Sequence, residues 1–132
     1  LRLEKAFLDH NADMAFLVTE VDNPIAYGVI QGKEIKKGII KVEDLEEKPK
    51  KPKSKLAVIA IYIFKAEIFS VLQKTHADKK GEIQLADAVK TIIDKGNTVA
   101  VKLKKNERRI DVGTPESYVK SINESHSFWN KK

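Results

Sequence analysis

The stretch Met14–Val21, MAFLVTEV, decides the fold class of this chain, because it is a nearly unbroken run of apolar residues. A strand that is apolar on both faces is typical of a parallel sheet with helices on both sides. Before it, Leu3, Phe7 and Leu8 recur at helical spacing, which predicts an amphipathic helix over residues 2–10. A helix that leads into a buried strand is half of a βαβ unit, so we predict an α/β fold whose sheet is mainly parallel and flanked by helices.

The rest of the chain continues this alternation of strands and helices. The predicted strands cover 27–30, 39–45, 56–64, 98–103 and 108–112, and the predicted helices cover 66–74 and 82–94. The last two strands form a predicted hairpin over 98–112, which makes the expected sheet mixed. Thr114 and Pro115 predict the start of a final helix. We expect one domain over 1–124, followed by a polar tail over 125–132.

The composition narrows the classes of function. The net charge of +6, from 25 Lys and Arg against 19 Asp and Glu, favours an anionic partner such as a phosphorylated metabolite, a nucleotide or a nucleic acid. The chain has no cysteine, which excludes disulfides and thiolate chemistry. It has no apolar run of about 20 residues and no leader pattern, so we expect no membrane partner and a cytoplasmic location. Because it starts at Leu1 rather than Met, we expect the natural amino terminus to be missing or trimmed.

Short polar groups stand at the ends of the predicted strands, where ligands bind in open α/β sheets. They are Tyr27-Gly28, Glu47-Lys48-Pro49, Gly81-Glu82 and Asp111-Val112-Gly113. Each group has an ordinary structural explanation when it is considered alone. Glu47 and Lys48 could be a solvated charge pair before a loop, and Asp111 could brace the start of the final helix. The residues alone therefore leave a binding site and a purely structural role open.

Five segments, taken together and in order, resemble the second half of the sugar-1-phosphate nucleotidyltransferases. The segments are VTEVDNPIAYGVI, EEKPKKPKS, LAVIAIYIF, GEIQLADA and RIDVGTPESY. The closest likeness is to UTP–glucose-1-phosphate uridylyltransferases, and glucose-1-phosphate thymidylyltransferases come close behind. The resemblance implies the carboxy-terminal part of a Rossmann-like nucleotide-diphospho-sugar transferase fold. It also implies a reaction in which a sugar 1-phosphate attacks the α-phosphorus of a nucleoside triphosphate and pyrophosphate leaves.

The resemblance further implies a sugar-phosphate pocket. In it, Tyr27 and Gly28 line the sugar, and glycine allows the backbone to come close. Glu47 accepts hydrogen bonds from sugar hydroxyls, and Lys48, a catalytic residue, holds the phosphate as a point charge. Neighbours on a regular strand face opposite ways, so both can reach one ligand only if the strand ends or bulges between them. Glu82, in the first turn of the helix predicted over 82–94, is a further possible sugar contact.

Asp111 is the catalytic residue that the resemblance makes a ligand of Mg²⁺, an ion that prefers oxygen ligands. The family's other metal carboxylate and its Gly-rich nucleotide loop belong to the amino-terminal half, which this chain lacks. We therefore expect the chain to be inactive alone as a uridylyltransferase. A sheet cut in this way would expose the edge of its first strand, so we also expect a homo-oligomer.

Two other functions stay open at this point. A non-catalytic sugar-phosphate-binding subunit would keep Glu47 and Lys48 without needing Asp111. A nucleic-acid module would use the basic loop 48–55, KPKKPKSK, but that loop has no interleaved aromatic residues and no known binding signature. We therefore expect a sugar 1-phosphate and a nucleoside triphosphate as partners, and no nucleic acid.

Overall fold

The computed structural model describes residues 1–77, 81–107, 109–110 and 112–130. Within these ranges the strands are β1 (Met14–Glu20), β2 (Gly28–Lys36), β3 (Ile39–Glu47), β4 (Leu56–Phe64) and β5 (Thr98–Lys102). The helices are α1 (Arg2–Asp9), α2 (Glu67–Lys74), α3 (Leu85–Lys95) and α4 (Pro115–Trp129), with a 3₁₀ turn at Pro24–Ala26. Among these described helices, none has the length and apolar character needed to cross a bilayer.

The strands pair in a closed order, β1–β4–β2–β3–β5 and back to β1. β1 runs parallel to β5, with Met14 beside Thr98, and antiparallel to β4, with Met14 beside Phe64. The other pairings are antiparallel, and β2 meets β4 through the single pair Val29–Ala57. The prediction of a mixed α/β fold is confirmed, but the prediction of a mainly parallel sheet is wrong. A run that is apolar on both faces shows that a strand is buried, and it does not show the direction of its neighbours.

β5 does not form the predicted hairpin with the described residues of 108–112. Both of its sides are taken, by β1 on one side and by β3 on the other. Arg109, Ile110 and Val112 are in no strand, while Arg108 and Asp111 lie outside the described residues. The expected free edge of β1 is likewise missing from the described sheet, because β4 folds back along it from Glu20 to Met14.

The core lies on both sides of β1, as its apolar run predicts. Phe16 and Val18 pack into the larger cluster, which α2 and α3 cover. Ala15 and Leu17 pack into a smaller cluster under α1, together with Leu3. Successive side chains of a strand point to opposite faces, so a run without polar residues supplies both clusters.

β2 extends well beyond residue 30, the end of the predicted strand, and reaches Lys36. Gly32 lies inside the strand, where a Cβ atom would run into the backbone carbonyl of Lys41 on β3. The glycine therefore permits the close approach of β2 to β3. The chain reverses direction after Lys36, where Gly38 has a φ of +74°.

α4 begins as predicted, because the Thr114 hydroxyl accepts a hydrogen bond from the Ser117 amide at 3.1 Å. The helix continues to Trp129, so residues 125–129 of the predicted polar tail are helical. Its amphipathic orientation is unusual. The polar residues Ser117 and Ser121 are half-buried towards the rest of the chain, whereas Ile122 and Trp129 are exposed.

Candidate functional site

The end of β3 places Glu47 and Lys48 on different backbone conformations. Glu47 is the last residue of the strand, and Lys48 follows with a φ of +46°. Its amide donates a hydrogen bond of 3.0 Å to the carbonyl oxygen of Tyr27. The strand thus ends between the two residues, which removes the alternation that would send their side chains to opposite faces. Left-handed backbone is uncommon for a residue with a Cβ atom and is found most often at functional sites and turns.

Gly28 lies directly opposite Glu47 across the β2–β3 pair. A Cβ atom at Gly28 would come within 2.9 Å of Oε2 of Glu47, which is closer than real Cβ contacts allow. The missing side chain therefore leaves room for the carboxylate over the strand. Tyr27, Gly28, Glu47 and Lys48 were predicted to share a sugar pocket, and the structure brings all four together at this corner of the sheet.

A cavity of about 230 Å³ opens at this corner. Tyr27, Gly28 and Glu47 line it from one side, and its other walls come from β4 and from the first turns of α3. The added lining residues are Ala26, Leu45, Val58, Ala60, Tyr62, Leu85, Ala86 and Val89. The cavity therefore combines apolar walls with a few polar groups, as small-molecule sites commonly do.

Tyr62 is the polar residue of this cavity that the sequence analysis missed. It stands in the most apolar strand of the chain, where an aromatic residue is expected to be core, and its ring does pack on Phe16 and Phe64. Burial, and then the charge of Glu47, raise the pKa of the Tyr62 hydroxyl above 10.0. The hydroxyl therefore stays protonated near neutral pH and can donate a hydrogen bond.

β4 is irregular beside the cavity. Ile59 pairs with Leu17 of β1, whereas Tyr62 pairs with Phe16, so Ala60 and Ile61 are extra residues. Bulges of this kind redirect side chains and are common next to binding sites. The positions 58, 60 and 62 all line the cavity, and their spacing of two was the available signal in the sequence.

The charged groups of the corner contribute little to the stability of the fold. Nζ of Lys48 lies 3.8 Å from Oε1 of Glu47, and the two side chains are 67% and 52% exposed. An exposed ion pair at that distance contributes at most about 1 kcal/mol to folding. Lys48 does not line the cavity itself, but it stands at its rim through its neighbour Glu47. Both groups are therefore available to a ligand.

Of the two other predicted site residues, Glu82 is not at this corner, and Asp111 is not described by the structure. Glu82 was predicted in the first turn of a helix, but α3 starts only at Leu85, and Glu82 lies exposed in the segment before it. Gln84 Nε2 lies 3.5 Å from its carboxylate, and Glu82 does not line the cavity. Asp111, the predicted magnesium ligand, falls outside the described residues. Among the residues that are described, no three His, Asp or Glu side chains gather as a metal site.

A larger cavity of about 730 Å³ lies on the other side of α3, between that helix and α2. Its lining includes Asp87, Thr91 and Lys95, which face away from Leu85 and Val89 on the helix. Some of its polar groups are engaged within the protein: the Asp13 carboxylate accepts hydrogen bonds from Lys65 Nζ and from the Asn97 amide, and the Thr91 hydroxyl donates to the Asp87 carbonyl. We assign the candidate site to the smaller cavity, because Tyr27, Gly28 and Glu47, which were predicted to bind the sugar, line it.

Comparison with known proteins identifies the family of the chain. Residues 2–127 match the nucleotidyl transferase family. This chain belongs to the nucleotidyl transferase family. Among its relatives is a putative UTP–glucose-1-phosphate uridylyltransferase of Bacillus subtilis (strain 168), which is 39% identical over 105 residues. That match covers 79% of this chain and 38% of the relative.

Two further comparisons extend the family assignment. A UTP–glucose-1-phosphate uridylyltransferase of Pseudomonas aeruginosa is 37% identical over 107 residues, covering 80% of this nucleotidyl transferase chain and 38% of the relative. A crystal structure of a UDP-glucose pyrophosphorylase complexed with UDP-glucose superimposes with a TM-score of 0.83 at 29% identity. The superposition covers 99% of this chain and 49% of that one, so the chain spans half or less of the length of these relatives.

Proposed function

We propose that this nucleotidyl transferase chain is the sugar-phosphate-holding part of an enzyme that joins a nucleoside triphosphate to a sugar 1-phosphate. The reaction we propose is UTP plus glucose 1-phosphate giving UDP-glucose and pyrophosphate. The observation that carries the proposal is the placement of Gly28 opposite Glu47, with Lys48 turned out of the strand beside them. The relatives named for this reaction support the choice of uridylyl transfer and glucose.

The corner offers a distinct contact for each part of a sugar phosphate. The Glu47 carboxylate has two oxygens and can accept hydrogen bonds from two neighbouring hydroxyls. The protonated Tyr62 hydroxyl can donate one to a sugar oxygen. The Lys48 ammonium can bind the phosphate as a mobile point charge. Because positioning and charge provide most of the catalysis in phosphoryl and nucleotidyl transfer, a pocket that orients the attacking phosphate oxygen contributes directly to the rate.

Mg²⁺ is the cofactor of this proposal, and it would neutralise charge on the transferred phosphates. We propose Asp111 as the residue of this chain that holds it, because carboxylates are preferred ligands and Mg²⁺ often takes one or two of them. The described residues do not make a complete site for the ion. The proposal therefore needs further ligands from the substrate or from a nucleotide-holding part of the enzyme.

The central experiment is a titration of the 132-residue chain with glucose 1-phosphate by isothermal calorimetry. We expect Glu47→Gln to weaken binding about 10- to 100-fold, because hydrogen bonds to a charged group are worth about 1.5–3 kcal/mol. The matched control is Glu46→Gln, an exposed neighbour on the same strand with the opposite facing. Equal binding of the two variants would show that the corner is not the sugar-phosphate site.

A second measurement addresses activity. With UTP, glucose 1-phosphate and Mg²⁺, we expect the chain alone to release no pyrophosphate above background, since it offers the sugar-phosphate part only. Normal turnover would contradict this. If a nucleotide-holding part restores turnover, Asp111→Ala should abolish it and leave glucose 1-phosphate binding unchanged. A non-catalytic binding subunit would show no such loss of turnover.

The predicted homo-oligomer is a separate proposal. Its support is now the exposed apolar side of α4, where Tyr118, Val119, Ile122 and Trp129 are between 52% and 66% exposed. Contiguous apolar surface of this kind marks interaction sites. We expect the average mass in sedimentation equilibrium to rise with concentration, and Ile122→Glu to suppress the rise. A monomer at all concentrations would refute the proposal.

A further inference from the structure

Arg109 stacks on the ring of Tyr27, one of the residues that line the candidate sugar pocket. The guanidinium carbon lies 4.9 Å from the ring centroid, and both side chains are half-buried. A guanidinium within about 6 Å of an aromatic centroid is attracted by the electron-rich face of the ring. The contact therefore joins two segments that are more than 80 residues apart in the sequence, 109 − 27 = 82.

Tyr27 is held from several directions at once. Its carbonyl accepts the amide of Lys48 at 3.0 Å, and its side chain lines the candidate site. It also lines a second cavity of about 250 Å³, together with Arg109, Ile110 and the polar side of α4. Tyr27 thus forms a wall between the candidate site and the space into which Arg109 and Ile110 face.

The position of Arg109 in the sequence gives this contact its significance. Asp111, for which we propose the metal role, follows Arg109 by two residues. Described residues 109 and 110 lack strand or helix structure, so regular backbone pairing does not hold them in place. The stack on Tyr27 is a side-chain contact that can do so.

We propose that Arg109 is a positioning residue that ties the segment approaching Asp111 to the sugar pocket through Tyr27. This inference rests on the proposed function, because it presumes that the pocket binds a sugar phosphate. A ligand that orders Tyr27 then also stabilises the segment at Arg109, and an ordered segment strengthens ligand binding by the same factor. In the complete enzyme, occupation of the pocket by the sugar phosphate would in this way favour the arrangement that the reaction needs.

The first experiment needs no ligand. Trypsin cleaves after arginine, so the rate of cleavage after Arg109, followed by mass spectrometry, reports how often this side chain leaves the ring. We expect Tyr27→Leu to accelerate that cleavage about threefold or more, whereas Tyr27→Phe, which keeps the ring, should leave it unchanged. Cleavage after the exposed Lys105 is the internal reference and should be the same in all three proteins. Equal cleavage after Arg109 in the three proteins would overturn the proposal.

The second experiment is a double-mutant cycle on glucose 1-phosphate binding, measured by calorimetry with Tyr27→Leu, Arg109→Met and the double variant. If Arg109 acts through Tyr27, Arg109→Met weakens binding about threefold in the wild-type background and has no further effect beside Tyr27→Leu. Arg109→Lys, which keeps a cation, should recover part of the loss. Fold changes that multiply in the double variant would mean that the two residues act independently, and the proposal would fail.

The two experiments also distinguish a failure of the proposed function from a failure of the positioning role of Arg109. If the wild-type chain does not bind glucose 1-phosphate at all, the proposed function fails, and the coupling to the ligand fails with it. The cleavage experiment would still show whether Tyr27 holds the segment. If binding is normal and the cycle shows no coupling, the positioning role is wrong while the proposed function stands. Circular dichroism melting of each variant excludes loss of folding as the cause.

Discussion

Two corners of the molecule lie on either side of α3 and use their carboxylates in opposite ways. At the first, Asp13 accepts hydrogen bonds from Lys65 Nζ at 2.8 Å and from the Asn97 amide at 2.7 Å. At the second, Glu47 has only the exposed Lys48 ammonium, at 3.8 Å, as a partner among the described residues. A carboxylate that is satisfied by the protein holds the fold together, whereas one that is left to solvent is available to a ligand. Asp13 is therefore a structural carboxylate, and Glu47 is the one that we propose as a ligand contact.

Both corners also contain a glycine that makes room for the carboxylate. A Cβ atom at Gly96 would lie 2.6 Å from Oδ2 of Asp13, and one at Gly28 would lie 2.9 Å from Oε2 of Glu47. The same substitution at the two positions therefore separates a role in folding from a role in binding.

The glycine pair should give the largest contrast. Gly96→Ala displaces a carboxylate that is bonded to the protein, and we expect the free energy of unfolding to fall by about 1–3 kcal/mol. Gly28→Ala displaces a carboxylate with no such bonds, so stability should change by less than about 0.5 kcal/mol. Its glucose 1-phosphate affinity should fall about tenfold or more, as after the loss of a charged hydrogen bond. Urea unfolding and calorimetry measure the two quantities.

The opposite outcome would contradict the division into a structural corner at Asp13 and a binding corner at Glu47. If Gly28→Ala unfolded the protein as readily as Gly96→Ala, the Glu47 corner would be structural as well. If Gly96→Ala left stability unchanged, the bonds of Asp13 would not matter to the fold.

Asp13→Asn should have a smaller effect that depends on pH. The hydrogen bond from the Asn97 amide, followed by that from Lys65, holds the pKa of Asp13 below its usual 3.8. Ionised Asp13 therefore stabilises the folded state fully above that usual value, and this contribution is lost as the pH falls through the lowered pKa. Because the side chain is 39% exposed, we expect a cost of only about 1 kcal/mol at neutral pH.

The measurement is the difference in unfolding free energy between wild type and Asp13→Asn across acidic and neutral pH. The difference should be constant at neutral pH and should shrink towards zero in acid. Other carboxylates with lowered pKa, such as Asp44, titrate in both proteins and cancel in the difference. A difference that grew in acid would contradict the assigned direction of the shift.

Lys48→Gly should have a small effect on stability, with the opposite sign. Left-handed backbone costs a residue with a Cβ atom about 1–2 kcal/mol, and glycine avoids this cost. Part of the gain in stability is lost again, because glycine loses more conformational entropy on folding than other residues. We expect the variant to be up to about 1 kcal/mol more stable than Lys48→Ala, which keeps the φ of +46°. Both variants should bind glucose 1-phosphate more weakly, since both lack the ammonium. Equal stability of the two would show that this backbone position is not strained.

The sequence predicted individual elements better than their arrangement. The bounds of β4 were predicted as they are, because an apolar run between two polar loops is a local signal. The start of α4 was predicted from Thr114 and Pro115 for the same reason. The partners of β5 were not, since β1 and β3 come from distant parts of the chain. The residues of a strand do not by themselves determine which other strands pair with its two edges.

The candidate site shows the same division. Tyr27, Gly28, Glu47 and Lys48 were predicted from their resemblance to a family motif, and their assembly follows from the pairing of β2 with β3. Tyr62 was missed because its apolar surroundings are typical of a core residue. In the structure it lines the cavity, next to the point where the pairing of β4 with β1 is irregular. The helix that was predicted to start at residue 82 starts at Leu85, and helix boundaries are the least certain feature of such a prediction.

Residue order alone was enough to establish the apolar runs and the helix start at Thr114, because each depends on neighbours within a few positions. It was also enough for the family, because five motifs in the right order need no knowledge of their contacts. Folding in three dimensions decided that β1 lies between β4 and β5, that Lys48 leaves the strand in a left-handed turn, and that Arg109 reaches Tyr27. These features depend on contacts between distant segments, whose free energies are set by packing and loop closure rather than by any local pattern.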